Sequence, residues 1–92
     1  MQAQGHEFPL RDGEHIVGRE ANAAICLDSP NVSRRHARFV VKGRSATLED
    51  LGSKNGSFVR GVRLSGATAL QPGDDARIGL FTLIFRGGRR SW

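Results

Sequence analysis

Apolar and polar residues alternate along this chain in short runs, and turn-forming residues separate the runs. The segment HARFVV at 36–41 places Ala37, Phe39 and Val41 on one face of a strand and His36 on the other. No window of eleven residues repeats apolar residues convincingly at the helical spacing i, i+3, i+4, i+7. The pattern therefore predicts an all-β protein.

Nine further segments have the short, β-rich character of strands, so the chain has about ten in all. They are EFPL at 7–10, EHIVGR at 14–19, AICL at 24–27, ATLEDL at 46–51, SFVR at 57–60, VRL at 62–64, ATAL at 67–70, DARIG at 75–79 and FTLIF at 81–85. Gly61 predicts a tight hairpin, and Pro72 predicts a turn at QPGD. Because FTLIF is nearly all apolar, we expect its strand to be covered on both faces. We also expect Cys26 to be a small apolar residue inside a buried strand. This spacing favours a β-sandwich or barrel.

Three longer irregular stretches lie between the predicted strands: GREANAA at 18–24, DSPNVSRR at 28–35 and LGSKNG at 51–56. They are rich in hydroxyls, amides, glycines and cations. Loops gather at the ends of a sandwich and often carry its function. We therefore expect the functional site at one end.

Length and composition limit the class of protein. Ninety-two residues with 38% hydrophobic and 25% charged residues predict one small globular domain. The net charge of +5 favours an anionic partner, and nucleic acid, phosphorylated protein and anionic lipid all fit that charge. No apolar run approaches the roughly 20 residues of a membrane helix, and the first residues lack a secretory signal. With Cys26 as the single cysteine, we expect no internal disulfide and a cytoplasmic location.

Catalytic and metal sites are poorly supported. Ser33 and His36 lack an obvious acid to orient the histidine, and no G-x-S-x-G elbow is present. His6 and His15 do not complete a ligand spacing with His36. LGSKNG has too few residues between its glycines for a Walker loop, and no helix follows. We expect neither an enzyme nor a cofactor nor a metal.

Nucleic acid is the main alternative partner. The basic balance and the RGGRR sequence at 86–90 favour it. However, the chain has only five Phe, one Trp and no Tyr, so stacking platforms for single strands are not evident. No recognition helix is predicted for a major groove. We therefore expect a different main partner.

The loop residues match a phosphate better. Arg19 offers a guanidinium, Ser33 a hydroxyl, Lys54 an ammonium and Asn55 an amide. A phosphorylated side chain carries a charge of about −1.5 to −2 at pH 7 and three strong acceptor oxygens. A planar arginine fork combined with hydroxyl and N–H donors meets this need.

With these residues in place, the sequence resembles the forkhead-associated (FHA) domain, a phosphothreonine-peptide binding module. The resemblance runs over about 5–85 and rests on GR at 18–19, SRRH at 33–36 and NG at 55–56, the last within LEDLGSKNGSFVRG. It implies a sandwich of about eleven short, mostly antiparallel strands, with the ligand bound by loops at one end. The chain would be one FHA domain over 1–92, with its core at about 5–86 and a flexible basic tail at 87–92.

The resemblance also implies roles for single residues. Arg19 would hold the phosphate and Ser33 would donate its hydroxyl to it. Arg34 would line the phosphate or the peptide. Asn55 would hydrogen-bond the peptide main chain just after the phosphothreonine, and Asn31 would lie near the region that selects downstream residues.

Three residues would be structural at the site. His36 would tie the Ser33 loop to the turn at 18–19, while Gly18 and Gly56 would serve backbone geometry. Arg35, which points away from its neighbour Arg34 on an extended chain, is expected to be a solvated charge.

The sequence departs from the family pattern at three positions, Lys54, Ser57 and Arg60. Lys54 stands where Thr or Ser often binds phosphate, so we expect Lys54 to pair with the phosphate as a mobile charge. Ser53 would supply the missing hydroxyl. Ser57 replaces a commoner threonine, and Arg60 stands where asparagine is frequent. The hypothesis for Arg60 is that its charge favours acidic peptide flanks.

The predicted function is recognition of phosphothreonine in a partner protein that is a substrate of, or linked to, a Ser/Thr kinase. Two alternatives stay open. One is a basic β-domain that binds nucleic acid, and the other is an interaction module of the FHA type that is independent of phosphate.

Overall fold

The computed structural model describes residues 2–3, 6–7, 11–43 and 45–85, with side chains for the last two ranges. Eleven short strands lie within these residues. They are β1 (Gln2–Ala3), β2 (His6–Glu7), β3 (Gly13–Gly18), β4 (Ile25–Cys26), β5 (Ala37–Lys42), β6 (Ser45–Asp50), β7 (Ser57–Val59), β8 (Val62–Arg63), β9 (Thr68–Leu70), β10 (Asp75–Ile78) and β11 (Phe81–Ile84).

The strands form two sheets packed as a sandwich. One sheet has the order β2-β1-β11-β10-β7-β8 and the other β4-β3-β5-β6-β9. Every pairing is antiparallel except that of β3 with β4. The all-β sandwich is confirmed, although the expected number of strands is reached only by counting four of two residues each, β1, β2, β4 and β8. No described segment is a helix long and apolar enough to cross a membrane.

The core lies between the sheets, and both contribute to it. Phe39 and Leu48 of one sheet and Ile78 and Leu83 of the other are fully buried in a single apolar cluster. Ala37 and Val41 accompany Phe39, as alternation in 36–41 predicts. Burying one such side chain contributes about 1.5–3 kcal/mol.

His36 departs from the predicted alternation because it too is fully buried. The strand begins at Ala37, so residue 36 still belongs to the preceding loop, where the two-residue period does not apply.

Two other burial predictions fail. In 81–85 only Leu83 and Phe85 are buried, and Thr82 is exposed, because the outer face of the six-stranded sheet is open to solvent. Cys26 is exposed, because Ile25 and Leu27 on either side of it take the core positions. Residues 8–10 of the predicted first strand lie outside the described residues.

The predicted hairpin between β7 and β8 is confirmed. Its two central residues, Arg60 and Gly61, both have positive φ, at 52° and 79°. Positive φ at both positions is the requirement of a type I′ turn, whose twist suits paired strands. Arg60 also forms an ion pair with Asp74, which belongs to the predicted turn at 71–74.

Candidate functional site

The three loops expected to carry function meet at one end of the sandwich. The N–H of Arg19 donates to the carbonyl of Ser33 at 3.0 Å, and that of Leu27 donates to the carbonyl of Gly18 at 2.8 Å. The N–H of Lys54 donates to the Ser33 hydroxyl oxygen at 3.1 Å. These bonds join the loops at 19–24, 27–36 and 51–56 into one surface.

Gly18 is required by a close approach of two backbones. A Cβ atom at this position would lie 1.9 Å from the carbonyl oxygen of Arg34 and 3.1 Å from that of Ser33. Because no positive φ is recorded for Gly18, space and not backbone conformation explains the glycine. Gly56 differs, since its φ of 84° favours glycine directly.

His36 braces the site from below. Its Nδ1 accepts the N–H of Ser33 at 3.0 Å, and its Nε2 lies 2.7 Å from the Gly56 carbonyl oxygen. This pairing assigns the neutral ring with the proton on Nε2. The side chain therefore ties the Ser33 loop to the Gly56 turn. It makes no hydrogen bond to the turn at 18–19; beside that turn, the backbone N–H of His36 donates to the carbonyl of Val17.

Asp50 organises the loop at 51–56. Its carboxylate accepts the N–H groups of Gly52 and Ser53 and the hydroxyls of Ser53 and Ser57, at 2.6–3.0 Å. Burial disfavours the charged form, but the hydrogen bonds from the hydroxyls of Ser53 and Ser57 and from the Ser53 N–H outweigh it, so the pKa of Asp50 lies below its ordinary value. An aspartate two residues before a glycine is a signal of this turn that the sequence analysis did not use.

The predicted phosphate role of Ser53 is corrected by this network. Its hydroxyl donates its single proton to Asp50 at 2.6 Å and accepts the N–H of Gly56 at 2.9 Å. A hydrogen bond from Ser53 to phosphate would break the bond to Asp50. Ser53 therefore belongs to the framework of the loop.

Ser33 differs from Ser53 because its proton is not used. The Ser33 oxygen accepts the N–H of Lys54 and donates no hydrogen bond to any residue in 11–43 or 45–85. The Arg19 side chain is exposed and its Nε donates to the Val32 carbonyl at 3.0 Å, which leaves its two terminal amino groups for a ligand. The carbonyls of Val32 and Ser33 thus bond the side chain and the backbone of Arg19, which holds Arg19 beside Ser33.

Three further cations lie in the loops that meet at this site. Arg34, Arg35 and Lys54 are exposed, and none forms an ion pair with any other described residue. The backbone of Arg34 packs on Gly18 and that of Lys54 bonds to Ser33, so the backbones of both residues belong to the site. The Arg35 side chain makes no hydrogen bond within the described part of the chain.

Asn55 and Asn31 lie together beside a cavity of about 410 Å³. The Asn55 side-chain nitrogen donates to the Asn31 carbonyl at 2.9 Å, so the Asn55 carbonyl oxygen remains as an acceptor. The cavity is lined by Asn31, Asn55, Phe58, Arg77, Gly79 and Leu80. No group of three or more His, Cys, Asp or Glu in the described part of the chain could hold a metal ion.

Comparison with known proteins agrees with this geometry. The family model "FHA domain" matches residues 15–79, which include all three motifs. The chain belongs to the FHA domain family. The match covers most of the residues that the structure describes.

Among its relatives is the glycogen accumulation regulator GarA of Mycolicibacterium smegmatis, 38% identical over 87 residues, which are 95% of this chain and 54% of GarA. The chain thus spans about half the length of that relative. The structure of Mycobacterium tuberculosis EmbR in complex with a low affinity phosphopeptide is 37% identical with a TM-score of 0.85, covering 90% of this chain and 22% of EmbR. A further structure, from a structural and functional analysis of phosphothreonine-dependent FHA domain interactions, is 36% identical with a TM-score of 0.85 and covers 90% of this chain and 85% of its own.

Proposed function

We propose that this protein binds phosphothreonine-containing segments of a partner protein. The observation that carries the proposal is the Ser33 hydroxyl, whose oxygen accepts the Lys54 N–H and whose own proton stays free, while His36 holds the backbone N–H of the same residue. A donor fixed in this way loses little conformational entropy when it binds a phosphate oxygen. The phosphopeptide bound to EmbR and the phosphothreonine-dependent interactions of the second similar structure support a ligand of this class.

The proposal assigns a role to each group that the loops bring together. Arg19 neutralises the phosphate and offers its two terminal amino groups, and Ser33 donates a short bond to a phosphate oxygen. Lys54 and Arg34 add positive charge at the rim. Asn55 contacts the peptide main chain, which its carbonyl oxygen can do by accepting a peptide N–H.

His36, Gly18 and Gly56 support these groups without contacting the ligand. Asn31 holds Asn55 through its carbonyl and lines the cavity beside the peptide path. Because the groups that face the ligand are donors and cations, and none is an activated nucleophile, we propose recognition without catalysis.

The proposal extends to the partner and the setting. The partner is a substrate of, or is linked to, a Ser/Thr kinase, and binding takes place in the cytoplasm. The chain acts as a single domain over 1–92, with the core at about 5–86. The predicted tail at 87–92 lies outside the described residues.

A peptide library that presents phosphothreonine, phosphoserine or threonine at a fixed position tests the proposal. We expect retention of the phosphothreonine pool and at least tenfold weaker retention of the threonine pool. Equal retention of phosphorylated and unphosphorylated pools would instead identify an interaction module independent of phosphate. Binding of duplex DNA with a log–log salt slope near −0.9 per neutralised phosphate, without peptide binding, would favour the nucleic-acid alternative.

A further inference from the structure

A row of two arginines and a phenylalanine crosses the outer face of the six-stranded sheet. Phe58 of β7 pairs with Arg63 of β8 on one side and with Arg77 of β10 on the other. Residues directly opposite in antiparallel strands point to the same face, with Cβ atoms about 4.5–5.5 Å apart. The Arg77 guanidinium carbon lies 4.6 Å from the centre of the Phe58 ring, so the ring also positions this cation.

Both cations of the row are free to bind an external anion. Arg63 and Arg77 are exposed, and neither forms an ion pair with another residue in 11–43 or 45–85. Asp75 lies two residues from Arg77 on the same face of β10 but is not paired with it. The neighbouring Arg60, which the sequence suggested for acidic flanks, is already paired with Asp74.

The row is continuous with the proposed phosphothreonine site. Phe58 and Arg77 line the same cavity as Asn31 and Asn55. The Arg63 side chain folds toward the loop, since a Cβ on Gly56 would lie 2.8 Å from its Nε. Asn55 and Phe58 are three residues apart, at most about 10 Å along the chain, which a few residues of extended peptide can span.

We infer that Arg63, Phe58 and Arg77 form a second contact surface, which holds an acidic segment flanking the phosphothreonine of the same partner. This inference rests on the proposed function, because the phosphothreonine anchors the segment. Charge complementarity selects the occupant, since two unpaired guanidinium groups are fixed on a rigid sheet. The apolar ring between them packs against the methylene groups of glutamate side chains.

Phosphothreonine peptides with four glutamates on one side, and matched peptides with four glutamines there, test the inference by isothermal titration. Both the N-terminal and the C-terminal placement are measured. For one placement we expect the glutamate peptide to bind about tenfold more tightly. The double variant R63Q/R77Q should lose most of this gain and keep its affinity for the glutamine peptide, which also shows that it is folded.

The matched control is R11Q/K42Q, which removes the same charge from two exposed positions away from the row, Lys42 at the end of β5 and Arg11 just before β3. It should keep the gain, reduced only by the weaker long-range attraction. An equal loss in both double variants, or no gain for either placement, would overturn the inference and leave the proposed function intact. Failure of every phosphopeptide to bind the unaltered protein would overturn both.

Discussion

Replacing Gly18 with alanine tests the close approach of backbones on which the site depends. The added Cβ would meet the Arg34 carbonyl oxygen at 1.9 Å, and real Cβ contacts are essentially never below 3.0 Å, so the two backbones must separate by at least 1.1 Å. The shift acts on the bonds from Arg19 N–H to Ser33, 3.0 Å, and from Glu20 N–H to Arg34, 3.4 Å. Whichever backbone yields, the position of Ser33 relative to Arg19 changes, because the bond between these two residues crosses the contact.

The cost follows from these contacts. Overpacking of this kind costs about 1–3 kcal/mol, and partial weakening of the two backbone bonds, each worth about 0.5–1.5 kcal/mol when intact, adds about 1 kcal/mol in total. We therefore expect G18A to lose about 2–4 kcal/mol of the free energy of unfolding. A domain of this size has about 5–14 kcal/mol in total, so the variant should still fold. Displacement of Ser33 weakens one charge-assisted hydrogen bond, so affinity for a phosphothreonine peptide should fall at least tenfold.

Urea unfolding and peptide titration measure the two effects, and G66A is the matched control. A Cβ at Gly66 meets nothing within 4 Å, and no positive φ is recorded there. G66A should therefore change stability by less than about 1 kcal/mol and leave binding unchanged. If G18A were as stable as G66A and bound peptide equally well, the close packing of the two loops would be refuted.

Three other predictions concern the support of the site and its pH dependence. H36L leaves the Ser33 N–H and the Gly56 carbonyl without their partner, so the free energy of unfolding in urea should fall by about 2–5 kcal/mol; a loss below about 1 kcal/mol would contradict the bracing role. D50N replaces one acceptor oxygen by an amide nitrogen, so it should lose about 1–3 kcal/mol and bind phosphopeptide more weakly, whereas intact affinity would show that the loop orders without the carboxylate. Lowering the pH from 7.5 to 5 should weaken phosphothreonine binding as the phosphate takes up its second proton near pH 6. Because the pKa of Asp50 is lowered, its stabilising contribution is present above its ordinary pKa and is lost only as the pH falls through the lower folded value, so protonation of Asp50 should not cause the loss of binding; a fall of the urea midpoint between pH 7.5 and 5 that disappears in D50N would contradict this.

Local pattern predicted much of the fold because burial at several strands follows a simple alternation. Ala37, Phe39 and Val41 are buried as predicted, and the Gly61 hairpin forms where the turn residues indicate. The strand at 81–84 misled the prediction because apolar composition does not reveal whether a second layer covers the sheet. Thr82 is exposed because no described element packs over that face.

The sequence showed which loops carry hydroxyls, amides and cations, but it could not show which hydrogen bonds these groups form. Ser33 and Ser53 look alike as hydroxyl donors, yet only Ser53 donates to Asp50. Which hydroxyl stays free depends on loop geometry that spacing does not encode. Likewise, the register that places Arg63, Phe58 and Arg77 in one row requires the pairing of three strands.

Titration of the protein with one peptide in its threonine and phosphothreonine forms, at pH 7.5, tests the central claim most directly. Ser33→Ala is measured alongside, with its urea midpoint as the check on folding. The account predicts that the phosphorylated form binds at least a hundredfold more tightly and that Ser33→Ala reduces this affinity at least tenfold while the midpoint stays within error. Equal affinity for the two forms, or full affinity in folded Ser33→Ala, would contradict it.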